Sequence, residues 1–378
     1  MRSSTRGDVD AFIVMDVMEQ ARRLEDAGRS IIHMEVGQPG TPAPTAARAA
    51  LAQAMEQDAL GYTVALGLPE LRAGIAKLYM DWYGVDLDPA RVVVTAGSSA
   101  AFVLAFTALF EAGEAVGVTE PGYPSYRQIL KSLSLTPHAI PTHAADRHVP
   151  QLPDAQLAGF IVASPANPTG TMLSKDDLDA LISKCQANDT AFISDEIYHG
   201  VQYEGRAVSA LELSDDVYVI NSFSKYFSMT GWRLGWMIVP EDHIRRIERL
   251  AQNMFICAPH AAQIAALGAL QARDETEAML DVYRENRRLM LEGLPKAGFD
   301  KIAPPDGAFY VYADISDLSQ DSLAFAAEIL EQAGVAVTPG LDFDPVRGHT
   351  TLRFSYARAT EDIVEGLRRL TEYMGKRG

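Results

Sequence analysis

Lys225 is the residue of this sequence whose position most directly indicates chemistry. It follows an apolar run at 217–220, which predicts a buried strand, and it lies between Ser222 and Arg233. An amine just beyond a buried strand is poorly solvated, and because desolvation disfavours the ammonium form, the amine becomes a better nucleophile. A lysine that can form a Schiff base, beside an arginine and serines that can bind a phosphate, indicates pyridoxal phosphate as the cofactor.

The same residues could lie on an ordinary solvated loop, which is the commoner meaning of a lysine or an arginine considered alone. The longer pattern favours the chemical interpretation. Ser-x-Ser-Lys at 222–225, followed by Met-Thr-Gly-Trp-Arg-x-Gly-Trp at 229–236, resembles the cofactor-lysine signature of the class I aminotransferases, which are fold-type I pyridoxal phosphate enzymes. The resemblance covers about residues 11–374 and implies a Schiff base on Lys225 and cofactor contacts from Ser222 and Arg233.

Gly97, Ser98 and Ser99 form a second candidate site. They follow a predicted strand at 91–95 and precede an apolar, helix-favouring segment at 100–110. The start of a helix offers free backbone N–H groups, and the serines add hydroxyls, so this turn could bind a phosphate. A helix capped by serine is an equally good interpretation of the motif alone.

Asp195 follows another predicted strand, where a carboxylate is costly unless it meets a cation or good donors. A helix N-cap is the alternative interpretation. The family resemblance implies that Asp195 binds the protonated pyridine nitrogen, that Asn167 and Tyr198 donate to the phenolic oxygen, and that Tyr123 stacks on the ring. Asn-Pro-x-Gly, which contains Asn167, is also an ordinary turn sequence. Tyr126 is expected to pack in the core.

Two residues are candidates for binding a substrate carboxylate. Arg353, in Leu-Arg-Phe-Ser-Tyr-Ala, resembles the family's substrate arginine, and a planar guanidinium can bind a carboxylate through two hydrogen bonds. The resemblance also implies substrate contacts from the backbone N–H of Gly37 and from Asn167. Tyr62 would reach the cofactor phosphate of a second chain, which requires a homodimer with a shared active site. Considered alone, Arg353 would be a surface arginine on an edge strand, Gly37 a turn glycine and Tyr62 a packed surface tyrosine.

The elements that carry these residues alternate between strand and helix. Such alternation predicts a mainly parallel sheet with its ligands at the carboxyl ends of the strands, where five of the candidate segments fall. We therefore predict the α/β fold-type I pyridoxal phosphate transferase architecture, a large domain of mainly parallel sheet flanked by helices plus a smaller α+β domain. The expected divisions are an N-terminal arm and helix at 1–36 packing with the small domain, a large cofactor-binding domain at 37–280 and a small domain at 281–378. Helices are expected over 242–254 and 259–294.

Composition argues against several classes of partner. The 378 residues carry a formal net charge of −17, which disfavours nucleic acid and anionic membranes. No apolar run is long enough for a membrane span, and no apolar signal region opens the chain. The 2 cysteines are too few for a disulfide framework or a structural zinc site. His138, His143 and His148 lie in a loop-like region and are predicted to be solvated, so no metal is expected, and a cytoplasmic location fits best.

Together these features predict a transaminase that moves an amino group from an L-amino acid to a 2-oxo acid, with 2-oxoglutarate as the acceptor that the resemblance implies. A carbon–sulfur β-lyase on the same fold is the main alternative. A cofactor-binding sensor that regulates transcription is disfavoured by the acidic chain and by a first motif that starts by residue 37. No residue can be assigned to a distal carboxylate, so aspartate, alanine, aromatic and branched-chain donors stay open.

Overall fold

The computed structural model describes residues 1–377. Its α-helices, in chain order, are α1 (Ile13–Asp26), α2 (Thr45–Gln57), α3 (Pro69–Tyr83), α4 (Gly97–Leu109), α5 (Pro124–Ser132), α6 (Lys175–Ala187), α7 (Ile244–Met254), α8 (His260–Ala269), α9 (Arg273–Lys296), α10 (Ser322–Ala333) and α11 (Thr360–Arg377). Its strands are β1 (Ile32–His33), β2 (Val92–Thr95), β3 (Ala115–Glu120), β4 (Thr136–Pro141), β5 (Gly159–Ala163), β6 (Ala191–Asp195), β7 (Tyr218–Ser222), β8 (Gly235–Ile238), β9 (Lys301–Ile302), β10 (Tyr310–Asp314), β11 (Val335–Ala336), β12 (Thr338–Pro339) and β13 (Thr351–Ser355).

Local sequence signals explain several of these boundaries. Pro69 is the first residue of α3, a position where the missing N–H of proline costs no helical hydrogen bond. Gly84 ends the same helix with a left-handed φ of 70°, which glycine adopts without steric cost. At the start of α6, the hydroxyl of Ser174 accepts the backbone N–H of Asp177 at 3.1 Å, as the Ser-x-x-Asp pattern predicts.

A seven-stranded sheet in the order β2-β8-β7-β6-β5-β3-β4 carries most of the candidate site. The pairs β7–β6, β6–β5, β5–β3 and β3–β4 are parallel, whereas β8 runs antiparallel to both β2 and β7. The predicted α/β architecture with a mainly parallel sheet is therefore confirmed. Because β8 returns directly beside β7, the loop between them, with Lys225 and Arg233, stays at the carboxyl end of β7.

Both faces of this sheet are covered by apolar side chains. Along the strands, neighbouring residues belong alternately to two separate buried clusters: Val219 lies in one and Ile220 in the other, as do Trp236 and Met237. Period-two alternation between two apolar cores is the pattern of a sheet sandwiched between helix layers. The sheet is thus a rigid support, and its polar residues concentrate where the strands end.

The last third of the chain forms a smaller sheet. Four antiparallel strands lie in the order β12-β13-β10-β9, α10 packs against β12 and β13, and α11 packs against α9 and α10. The short strand β1 pairs in parallel with β11, and α1 packs against β11 and β12. The N-terminal segment therefore lies against the C-terminal part of the chain.

Two predicted elements differ from the structure. The helix predicted over 259–294 is two helices, because α8 packs against α2 and α3 while α9 turns away to pack against α11. The loop-like region around His138 contains β4, an edge strand paired only with β3, where Pro137 and Pro141 are tolerated because one side of the strand makes no ladder hydrogen bonds. Among residues 1–377, no helix is both long and apolar enough to cross a membrane.

The three histidines also differ from the prediction in part. His143 is exposed, but His138 lies within β4, and His148 is half-buried with Nδ1 3.0 Å from the hydroxyl of Thr142. Burial and the nearby Arg347 lower the pKa of His148 to about 4. It is therefore a neutral packed side chain, and the prediction of solvation was wrong at that position.

Candidate active site

A pocket of about 180 Å³ lies at the carboxyl ends of the parallel strands, between the two sheets. Ten of the predicted site residues line it: Gly37, Ser98, Ser99, Tyr123, Asn167, Asp195, Tyr198, Lys225, Arg233 and Arg353. Residues that the sequence analysis did not include among the site residues also line it, namely Phe12, Val14, Met15, Val36, Tyr126, Ala163, Ile197, Ser224, Thr230 and Tyr310. Residues as far apart in the sequence as Phe12 and Arg353 thus line a single cavity.

The amine of Lys225 lies inside this pocket. Its Nζ donates to the carbonyl oxygen of Gly37 at 2.5 Å and stands 5.6 Å from the ring centroid of Tyr198. Desolvation, helped by the positive charges of Arg353 and Arg233, lowers the pKa of Lys225 to about 7. A large share of the amine is therefore neutral at physiological pH and can act as a nucleophile or as a base.

Asp195 is the last residue of β6, and its side chain is buried. The hydroxyl of Tyr126 donates to Oδ2, and the backbone N–H of Ile197 donates to Oδ1 at 3.1 Å. Burial raises the pKa of Asp195 to about 6, against the opposing effects of Tyr126, Ile197 and Lys225. Tyr126 is buried as predicted, but it also supports this carboxylate, which the sequence did not indicate.

A cluster of hydrogen-bond donors forms the opposite corner of the pocket. Gly97 begins α4 with a left-handed φ of 76°, and Ser98 and Ser99 follow in the first helical turn. A Cβ atom at Gly97 would overlap Nη2 of Arg233, so the guanidinium lies directly against this backbone. Nη1 of Arg233 donates to the carbonyl oxygen of Thr230 at 2.9 Å. Free N–H groups, hydroxyls and a guanidinium at one place make an anion-binding corner.

Ser222 is placed differently from the other predicted cofactor residues. It is buried behind the pocket wall, where its hydroxyl lies 2.7 Å from that of Ser224 and donates to the carbonyl oxygen of Leu234 at 2.9 Å. Ser224 is the serine of this motif that lines the pocket. Ser222 is the last residue of β7, whereas Ser224 lies in the loop that follows and reaches the cavity wall.

Arg353 is buried between two aromatic rings. Its Cζ lies 4.3 Å from the ring centroid of Tyr310 and 4.6 Å from that of Phe343. Nη1 donates to Oδ1 of Asn167 at 2.8 Å, and Nη2 donates to the carbonyl oxygen of Glu35. Its Nε has no hydrogen-bond partner. A buried donor without a partner at a pocket wall is the expected state of a group that binds a ligand.

Tyr198 and Tyr123 contribute the aromatic surface. The hydroxyl of Tyr198 lies 2.6 Å from that of Tyr310, and desolvation raises its pKa well above the usual value. Tyr123 packs edge to face with Phe12, at a centroid distance of 5.9 Å, and with Tyr126, at 5.3 Å. These contacts fix the ring of Tyr123 at the pocket wall.

Besides Ser222, two predicted site residues lie outside this cavity. Gly97 is behind the guanidinium of Arg233, and the side chain of Tyr62 is 83% exposed on the surface of the single chain. The Asn167–Pro168 peptide bond is cis.

The residues present fit pyridoxal phosphate. A buried carboxylate held by neutral donors at Asp195 needs a cation, which a protonated pyridine nitrogen supplies. The anion-binding corner at Gly97 and Arg233 suits the phosphate, and the amine of Lys225 lies in the same cavity between them. Each charged part of the cofactor therefore has a complementary group.

The chain was compared with known proteins. Residues 29–370 match the family described as aminotransferase class I and II. A valine–pyruvate aminotransferase of Mycobacterium tuberculosis is 45% identical over 382 residues, covering 99% of this chain and 98% of the relative.

Solved structures give the same result. A crystal structure from Silicibacter pomeroyi, provisionally described as an aminotransferase, is 65% identical with a TM-score of 0.94, and 100% of each chain is covered. The aspartate aminotransferase of Thermus thermophilus with maleate is 30% identical with a TM-score of 0.91, covering 98% of this chain and 100% of that one. The chain therefore belongs to the class I and II aminotransferases, and it is a pyridoxal phosphate-dependent transaminase.

Proposed function

We propose that this transaminase takes its amino group from an L-amino acid with an uncharged, apolar side chain and passes it to a small 2-oxo acid, with Lys225 as the proton carrier. The observation that carries the proposal is the joint burial of the Lys225 amine, the Asp195 carboxylate and the unpaired Nε of Arg353 around one cavity. Cofactor, proton transfer and substrate carboxylate each have a candidate partner there.

The bound cofactor would be held from both ends. When present, pyridoxal phosphate supplies a carbonyl carbon that takes up the amino group and a ring that withdraws electrons. Asp195 would hold the ring nitrogen in its protonated form, and Asn167 and Tyr198 would donate to the phenolic oxygen. Ser98, Ser99 and Arg233 would bind the phosphate, with Ser222 acting through Ser224. Tyr123 would cover one face of the ring.

The substrate carboxylate would bind Arg353. Two rings and three hydrogen bonds, to Asn167, Glu35 and Thr338, already fix the plane of this guanidinium, so little conformational entropy is lost when a carboxylate pairs with it. The free Nε supplies one donor, and the backbone of Gly37 lies beside it in the same wall. A carboxylate held at this place directs the Cα–H of the substrate towards Lys225.

Lys225 would then act as the base at Cα. Its pKa of about 7 leaves the neutral amine available near physiological pH, whereas an exposed lysine would be almost fully protonated. Nζ takes the proton from the substrate Cα and can return it to the carbon that carries the amino group at the end of the half-reaction. The short bond from Nζ to Gly37 keeps the amine next to the substrate carboxylate site.

The substrate side chain would meet an apolar wall. Phe12, Val14, Met15 and Val36 line the pocket on the side of the N-terminal segment. Within residues 1–377, the basic residues of the lining are Lys225, Arg233 and Arg353, each with a task at the cofactor or the α-carboxylate. The relative named for valine and pyruvate supports an aliphatic donor and pyruvate as the acceptor.

The acceptor implied by the sequence resemblance was 2-oxoglutarate, so both acceptors belong in the test. We would measure kcat/KM for valine, alanine, leucine and aspartate with pyruvate and with 2-oxoglutarate. We expect the aliphatic donors to exceed aspartate by at least about tenfold, since an unpaired distal carboxylate is costly in an apolar pocket. Aspartate as the best donor would overturn the proposed specificity, and pyruvate with ammonia formed from cysteine without an acceptor would indicate a β-lyase.

A homodimer with a shared active site is part of the proposal. Tyr62 and Val64 are exposed, and so are Phe255 and Ile256, which lie nearby because Nδ1 of His260 is 2.9 Å from the carbonyl oxygen of Gly61. Exposed apolar side chains grouped in this way favour contact with a second copy. Tyr62→Phe should weaken cofactor binding about fivefold without changing the melting temperature, since an exposed hydroxyl carries little stability in one chain. Sedimentation as a monomer with full cofactor affinity would contradict the shared site.

We also propose the domain division expected from the sequence, 1–36, 37–280 and 281–378, within a cytoplasmic enzyme. The assignment of the arm to the small domain is supported by the pairing of β1 with β11 and by the packing of α1 against β11 and β12, whereas α9 crosses position 280 as one continuous helix. If the arm folds with the small domain, Val335→Ala in β11 should speed amide hydrogen exchange in β1 as well. Unchanged exchange in β1 would contradict this division.

A further inference from the structure

Tyr310 lines the pocket and contacts Tyr198, Arg353 and Gly37, but it has no role in the proposed reaction. It begins β10, is buried, and faces the cavity next to Arg353 and Tyr198. Its hydroxyl lies 2.6 Å from the hydroxyl of Tyr198, and its ring lies 4.3 Å from Cζ of Arg353. One side chain therefore touches both the candidate donor to the cofactor and the candidate substrate arginine.

The backbone holds the two tyrosines in a fixed relationship. The N–H of Ala308 donates to the carbonyl oxygen of Val201 at 2.8 Å, and the N–H of Val201 donates to the carbonyl oxygen of Tyr198 at 2.8 Å. The hydroxyl of Tyr203 donates to the carbonyl oxygen of Ala308 at 2.6 Å. The segment that carries Tyr198 is thus tied to the start of β10 by hydrogen bonds that keep the two backbones together.

The environment of Tyr310 leaves its hydroxyl little freedom. A Cβ atom at Gly37 would overlap the oxygen and the ring of Tyr310, so the phenol lies directly against that backbone. On its other side is the hydroxyl of Tyr198. Gly37 also accepts the amine of Lys225 through its carbonyl oxygen. The Tyr310 hydroxyl therefore lies between Gly37, which accepts the Lys225 amine, and the hydroxyl of Tyr198.

In a hydrogen bond between two hydroxyls, only one of the two hydrogens lies in the bond. It therefore matters which hydroxyl is the donor. If Tyr198 donates to Tyr310, its hydrogen is used and it cannot donate to the cofactor. If Tyr310 donates to Tyr198, the hydrogen of Tyr198 is free to point into the pocket. A chain of hydroxyl donors in one direction also strengthens each bond in it.

We propose that Tyr310 is a positioning residue of this transaminase: its hydroxyl donates to Tyr198 and so directs the Tyr198 hydrogen to the phenolic oxygen of the cofactor, while its ring braces Arg353. The inference rests on the proposed role of Tyr198 as a donor to that oxygen. It predicts that the hydroxyl and the ring of Tyr310 do separate tasks, one at the cofactor and one at the substrate carboxylate.

The two tasks can be separated by substitution. Tyr310→Phe keeps the ring beside Arg353 and removes only the hydroxyl, whereas Tyr310→Leu removes both. The phenolic oxygen titrates visibly in the absorption spectrum of the bound cofactor, so its pKa can be followed without turnover. With one supporting donor removed, we expect this spectroscopic pKa to rise by about 0.5 to 1 in Tyr310→Phe, because its ionised form loses hydrogen bonding.

The effects of the two Tyr310 variants on kcat and KM should separate in the same way. In Tyr310→Phe, kcat should fall about three- to tenfold while KM for valine stays within about twofold of the parent, since the Arg353 site is intact. In Tyr310→Leu, KM should rise as well. Tyr312→Phe is the matched control, because Tyr312 lies on the same strand as Tyr310 and its hydroxyl lies at the same distance, 2.6 Å, from one hydroxyl partner, that of Thr351 in β13.

Tyr198→Phe distinguishes failure of the inference from failure of the reaction scheme. If Tyr198→Phe raises the spectroscopic pKa and Tyr310→Phe leaves it unchanged, Tyr310 does not position Tyr198. The inference about Tyr310 is then wrong, while the donor role of Tyr198 stands. If neither variant moves it, the donor role of Tyr198 is wrong and the inference falls with it. Melting temperatures of the holoenzymes verify folding, and a pKa change equal in Tyr312→Phe and Tyr310→Phe would also overturn the inference.

Discussion

Tyr126 donates its hydroxyl hydrogen to Oδ2 of Asp195, although 69 positions separate the two residues in the chain. Tyr126 comes from α5, while Asp195 ends β6 in the middle of the large sheet. The bond lowers the pKa of a carboxyl that burial raises. A neutral helix residue thus helps to keep the proposed partner of the pyridine nitrogen ionised.

The first prediction concerns this bond. Tyr126→Phe should raise the pKa of Asp195 above about 6, so more of the carboxyl is protonated and the ring nitrogen loses its counter-charge. We expect cofactor affinity to fall about tenfold at pH 7, and by more at pH 6 than at pH 8. Asp195→Asn should lower kcat about tenfold to more than a hundredfold. Tyr283→Phe is the control, because its buried hydroxyl has no hydrogen-bond partner.

The second prediction is a pH dependence. The pKa of Lys225 is lowered to about 7, so in the cofactor-free enzyme the neutral amine increases from about a tenth at pH 6 to about nine-tenths at pH 8. The rate of cofactor incorporation should rise across that window and level off above it. Asp195 opposes the lowering, so Asp195→Asn should move the midpoint to lower pH. A rate that still rises above pH 9 would show a lysine of ordinary pKa.

The third prediction tests the anion-binding corner. Gly97→Ala should weaken cofactor binding at least about tenfold, because the added Cβ displaces the guanidinium of Arg233 and one charged hydrogen bond is lost. Gly84→Ala is a closely matched control: its φ of 70° resembles the 76° of Gly97, but no atom lies within 4 Å of the added Cβ. Both variants should lose similar stability, and only Gly97→Ala should lose affinity. Equal affinities, by equilibrium dialysis, would contradict the assignment.

The fourth prediction concerns the substrate carboxylate. Arg353→Lys keeps the charge but cannot bond Asn167 and a carboxylate together, so KM for valine should rise about ten- to a hundredfold. An amine without a carboxylate should react equally slowly with parent and variant. Arg347→Lys, at a guanidinium already paired with Asp344, should leave KM unchanged. Unchanged KM in Arg353→Lys would remove the proposed role.

Much of the site could be predicted because each segment carries its own signal. Asn167, Asp195 and Lys225 each follow an apolar run that is typical of a buried strand, and parallel strands bring their carboxyl ends to one edge. The prediction needed no knowledge of distances. The grouping of these segments needed only the order of strands and the residues that end them, whereas the roles of the individual residues came from the family resemblance.

The residues that were missed have no such signal. Tyr310 begins a strand of the smaller sheet, and its position against Tyr198 depends on how two sheets pack. Phe12 reaches the pocket because the backbone N–H groups of Ile13 and Val14 donate to the carboxylate of Asp342 at 3.0 and 3.2 Å. Such contacts join distant parts of the chain, and a sequence pattern records only local spacing. Strand alternation could not have separated Ser224 from Ser222, because residues two apart lie on the same face and the difference arises in the loop after β7.

The most direct test of the account is the half-reaction. Holoenzyme mixed with valine, without any 2-oxo acid, should lose the absorption of its pyridoxal form and release one equivalent of the corresponding 2-oxo acid per active site. Lys225→Ala should do neither at a useful rate. A pyridoxal absorption that persists while ammonia accumulates, or full activity of Lys225→Ala, would contradict the claim that Lys225 moves the proton in a transamination.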